Sequence, residues 1–98
     1  MPKKEYSSDG KTCKVTFEVS AEAGANKAYL CGEFNDWDQT CTPMAIQKDG
    51  SFNTTIELKA GRSYRYRFIV DGQSWVNDWF ADDYAMNPFG GEDCVVEV

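Results

Sequence analysis

The 98-residue chain reads as an all-β sandwich. Three observations point there. Short stretches alternate apolar and polar residues with a period of two. Turn signals separate them at roughly the eight-to-twelve-residue spacing of sandwich folds. No stretch carries a convincing helical period. About seven strands are expected in one domain, the size being that of a single domain. A chain of this length buries roughly 65% of its unfolded surface, enough for one modest core without metal or disulfide staples.

The elements follow in order. "MPKKEYSSDGK" has two lysines and no apolar run behind them, so it is no secretory signal. Residues 1–10 read as a frayed tail and 11–98 as the sandwich. "CKVTFEVS" sends Cys13, Val15, Phe17 and Val19 to one face, as a half-buried strand does. "AEAGAN" is a turn. "KAYLCGEF" is the next strand and "DWDQTCT" a loop. Pro43 opens a short strand, "MAIQK", where it need not donate to a ladder. Asp49-Gly50 signals a hairpin, followed by "SFNTTIELK". "SYRYRFIV" is the clearest strand: Tyr64, Tyr66, Phe68 and Val70 share one face, and Ser63, Arg65, Arg67 and Ile69 the other. Asp71-Gly72 is a second hairpin turn. An irregular acidic stretch follows, "VNDWFADDYAMNPFGGED", and "CVVEV" closes the sheet.

Composition removes several functions. The formal charge is −6, with acidic residues spread along the chain. Such a domain lacks the Lys/Arg surface that releases counterions from nucleic acid and is equally unsuited to an anionic membrane. No apolar run is long enough to span a bilayer. With no histidine, no Ser-His-Asp or Cys-His nucleophile exists in the chain. Cys13, Cys31, Cys41 and Cys94 show no C-x-x-C spacing, and no metal or cofactor is expected. Without an export signal the compartment reads as reducing and cytoplasmic. The cysteines then pack as small hydrophobes, Cys13 with Cys94 being the pair to test first for a disulfide.

What remains is aromatic. Trp37 ends "GEFNDW", in polar surroundings. Taken alone it reads as a ring folded back over the sandwich edge. Trp75 and Trp79 also stand near turns among polar residues, and three such rings suit a contact surface. Phe34 is expected to anchor the strand end, with Asn35 and Asp36 shaping the turn that presents Trp37. Arg65 and Arg67 read either as a solvated sheet face or as a donor fork near Trp75. The carboxylates of "NDWFADDY" and "GED" fit no EF-hand spacing and read as a solvated acidic loop in preference to a calcium site. A glycosidase needs paired carboxyls across a cleft, and so small a sandwich offers none, so no enzyme activity is expected. "NPFGGED" is a turn by composition, or a loop that lays Phe89 beside the tryptophans.

"YLCGEFNDWDQTCTPM", "DGSFNTTIELKAGRSYRYRFIVDGQSW" and "GGEDCVVEV" together resemble the family-48 carbohydrate-binding module. This is the immunoglobulin-like early-set sandwich found as the glycogen-binding domain of the AMP-activated kinase β subunit. Related domains begin isoamylases and glycogen-branching enzymes. The resemblance implies non-catalytic binding of α-1,4-glucans: glycogen, starch or maltooligosaccharides. It places the stacking tryptophans at Trp37 and Trp75. The basic position falls on Arg67, where kinase-type domains carry lysine. The amide position falls on Asp93, which can accept from a hydroxyl but not donate as an amide does. The aliphatic position falls near Phe89. Ser74 is an extra residue before Trp75. The alternative is a protein-interaction module docking on a separate glucan-metabolising enzyme or a kinase-like partner.

Overall fold

A computed structural model describes residues 2–38, 42–72, 74–78, 81–88 and 90–98. Among them nine strands form two antiparallel sheets. The first sheet is ordered β1-β2-β5-β4, from Lys3–Tyr6, Thr12–Val19, Phe52–Lys59 and Ala45–Ile46. The second is ordered β3-β6-β9-β8, from Ala28–Gly32, Ser63–Val70, Glu92–Glu97 and Asp83–Met86. The ninth strand, β7 (Ser74–Val76), also pairs with β6. Helical structure among the described residues is confined to two single 3₁₀ turns, Ala21–Ala23 and Glu33–Asn35. The fold is the expected all-β sandwich.

The alternation read from the sequence builds the core. Cys13, Val15, Phe17 and Val19 of β2 face Tyr64, Tyr66, Phe68 and Val70 of β6, all buried. Phe17 meets Tyr66 edge-on at 4.7 Å, and Phe34 reaches Phe17 and Tyr64 at 6.1 and 6.2 Å. Phe34 thus anchors the end of β3 in the aromatic layer. Cys13, Cys31 and Cys94 are free and buried. Cys41 lies outside the described residues.

Three strands fall where the sequence suggested none. β1 lies in the stretch expected as a frayed tail. It pairs with β2 from Lys3↔Thr16 to Tyr6↔Cys13, and the Lys4 ammonium meets the Asp82 carboxylate at 2.6 Å. Its residues are mostly exposed, so backbone bonds and one ion pair hold it rather than an apolar face. β7 falls just before the acidic stretch read as irregular, and β8 falls within it. β8 pairs with β9 from Asp83↔Val95 to Met86↔Glu92, an edge hairpin with little to bury.

The pairing of β6 positions the outer face of the second sheet. On one side β6 pairs with β3. On the other it has two partners in line: β9 along Ser63–Tyr66 and β7 along Phe68–Val70. The exchange happens at Tyr66-Arg67.

Candidate functional site

Arg67, Ile69 and Trp75 project from the outer face of the second sheet, away from the core. Cys31 pairs with Arg67, and Ile69 with Trp75. Ile69 and Cys31 are buried yet stand outside the core cluster, so this face is built over rather than bare. Trp75 remains 39% exposed. The Arg67 guanidinium lies over its ring, 5.6 Å from the centroid. A cation so placed is drawn to the indole face. Arg67 and Trp75, expected as neighbours, are brought together.

Trp37 is held by the turn after β3. Gly32 is extended and packed so closely that a β-carbon there would lie 2.6 Å from the Arg65 carbonyl oxygen. The Asn35 carboxamide spans the turn. Its oxygen accepts from the Gly32 amide at 3.0 Å, and its nitrogen donates to the Leu30 carbonyl at 2.9 Å and the Thr42 hydroxyl at 3.0 Å. Asp36 and Trp37 then both take positive φ, 55° and 59°. That conformation is rare for a bulky residue and costs on the order of 1–3 kcal/mol. The Trp37 amide returns to the Gly32 carbonyl at 2.9 Å, closing the turn. Burial, and then the Asp38 charge, raises the Cys31 thiol to about 11. β3 and β7 flank β6, the strand that bears Arg67, on opposite sides.

Asp93 is buried, 7% exposed. It accepts from the Asn87 amide at 3.2 Å and lies 3.7 Å from Arg65. Asn87 in turn closes the loop to β9, its side-chain oxygen accepting from the Gly91 amide at 3.1 Å. Asp93 is therefore a partly committed acceptor at the margin of the face. Phe89 and Trp79 lie outside the described residues.

Sequence reasoning passed over two residues here. Asn77 accepts from the Arg67 Nε at 2.9 Å. On the opposite side of the sheet, Tyr66 donates to the Asp78 carboxylate at 2.8 Å. Adjacent residues of β6 thus grip adjacent residues after β7, one pair on each face. Burial, then the Asp78 charge, pushes the Tyr66 hydroxyl far above its ordinary range. The signal for Asn77 was present: alternation continued past Trp75 puts it on the same face.

Among the described residues no helix is long and apolar enough to cross a membrane. The family described as the glycogen recognition site of AMP-activated protein kinase matches residues 14–91. The chain is also similar to the SNF1 protein kinase subunit beta-2 of Saccharomyces cerevisiae, 32% identical over 66 residues, which is 66% of this chain and 16% of that protein. The match covers both tryptophan turns and the Arg67 strand, and the family is one of recognition rather than of catalysis. This chain belongs to the glycogen-recognition carbohydrate-binding family of the AMP-activated protein kinases.

Proposed function

We propose that the chain binds α-1,4-glucans on the outer face of its second sheet, without cleaving them. The observation that carries this reading is the exposed Trp75 indole with Arg67 set over its ring at 5.6 Å. An α-glucan presents apolar C–H faces rimmed by hydroxyls. A flat indole covers the faces at little entropic cost. Trp37 is the second stacking ring, and its rare backbone conformation supports a role outside the core. Arg67 donates to rim hydroxyls, Asp93 accepts from them, and Phe89 adds an apolar contact. The acidic net charge suits a neutral ligand.

A shallow surface of this kind binds weakly, roughly in the micromolar-to-millimolar range, because few contacts offset the freedom lost. Retention on immobilised amylose and titration with maltoheptaose test the proposal. The parent chain is expected to bind and the Trp37→Ala/Trp75→Ala double variant to lose binding at least tenfold, on the order of one or two stacking contacts. Equal binding by the two proteins would overturn the assignment of the face.

A further inference from the structure

We infer that Asn77 is a glucan-contacting residue that supplies the amide donor which Asp93 lacks. The inference rests on the glucan-binding reading above. A guanidinium has only donors, so the Asn77 oxygen must be the atom facing Arg67 Nε at 2.9 Å. This fixes the orientation of the carboxamide and leaves its NH₂ group with both protons uncommitted. Asn77 makes no other side-chain bond among the described residues. No buried side-chain nitrogen or oxygen is unsatisfied among them, so the NH₂ group is not sealed from solvent. Asn77 is half-buried, two residues after Trp75 on the same strand path.

The two acceptor–donor roles at the rim of the face are then divided. Asp93 is an acid in a position where only acceptance is available, and Asn87 and Arg65 already occupy part of its capacity. Asn77 stands beside the Arg67 guanidinium, with donors to spare. A sugar ring on Trp75 has hydroxyls at its edge that need both kinds of partner, and each hydroxyl can accept as well as donate. Arg67 is meanwhile held over the indole by the bond to Asn77, so one carboxamide both fixes the cation and extends its donor edge. On the inner face the Tyr66–Asp78 bond keeps the backbone at 77 and 78 in place, so the donor is pre-set before any ligand arrives, which limits the ordering cost of binding.

Two variants separate holding Arg67 from donating to sugar. Asn77→Asp keeps an oxygen for Arg67 Nε and removes the NH₂; Asn77→Ala removes both. Maltoheptaose titrations of each are expected to show affinity about five- to tenfold below the parent, the size of one hydrogen bond. The Asn77 side-chain amide resonance of the parent is expected to move on adding maltoheptaose. If Asn77→Asp binds like the parent while Asn77→Ala is weakened, Asn77 only holds Arg67 and the donor role falls. If both variants bind like the parent, the residue has no part in recognition. If the parent itself shows no binding to maltoheptaose, the glucan reading fails and takes this inference with it.

Discussion

A β-carbon at position 32 would stand 2.6 Å from the Arg65 carbonyl oxygen and 2.7 Å from the Phe34 ring. Neither neighbour can retreat cheaply: one is backbone inside a ladder, and the other is wedged between Phe17 and Tyr64. The glycine of "GEFNDW" is therefore required by close approach, its φ of −173° being open to any residue. Gly32→Ala is expected to lower stability by about 1–3 kcal/mol, the usual cost of overpacking, read from the urea midpoint. Asn35 accounts for the next letter of the motif. Its three bonds tie strand, turn and the Thr42 segment into one unit. The roles of Phe34 and Asn35 were legible from their order in the chain. The consecutive positive φ values at Asp36 and Trp37 were not: aspartate tolerates that region, but a tryptophan does not announce it.

At the scale of elements, the strands with strict alternation were legible and those without it were not. β2 and β6 bury one face each, so hydrophobicity records their pleat. β1 and β8 are edge strands with mostly exposed residues, and a strand that buries little leaves no pattern to read. β1 is held instead by its ladder and by Lys4, which reaches Asp82 across the sandwich. The Asp82 carboxylate also accepts from the Glu97 amide at 2.8 Å, so it binds three parts of the chain at once. Its side chain is only 9% exposed. Lys4→Ala leaves that carboxylate without its cation and is expected to cost about 1–3 kcal/mol, more than a surface pair would. Urea denaturation of the variant beside the parent measures this. A change indistinguishable from zero would mean that the Lys4–Asp82 pair contributes little to the fold.

Over the whole molecule, three buried acids among the described residues hold their protons more tightly in the folded chain than in the unfolded one. Burial and then the Asp38 charge raise the Cys31 thiol to about 11. Burial is also the main cause for Cys94, likewise raised to about 11. Tyr66 is raised further still, first by burial and then by Asp78. A raised folded-state pKa contributes stability that is complete below the unfolded value and is lost as pH rises through the folded one. The chain is thus expected to keep its stability up to about pH 9 and to lose it steeply toward about 11, with each thiol accounting for on the order of 2 kcal/mol. Denaturant midpoints measured from pH 7 to pH 11 check this, and Cys31→Ala should make the alkaline slope shallower. The candidate face was legible in part at this scale. Arg67 and Trp75 share a hairpin, so local order brings them together. Asp93 needed the register of a strand far along the chain, and its burial by Asn87 and Arg65 could not be read from spacing.

The shared flank of β6 bears on how freely the chain can change in length. The chain leaves that flank after Val76 and another segment takes it up at Cys94. The Asp78 amide lies 3.0 Å from the Cys94 sulfur, so departure and return occur at one spot. The stretch between them is a detour that begins and ends at the same station. Loop-closure entropy rises only slowly with length, so residues can be added at the tip of that detour, near Gly90, without displacing Arg67 or Trp75. The tip near Gly90 is where this sandwich can be lengthened while the ladder that carries the indole stays fixed.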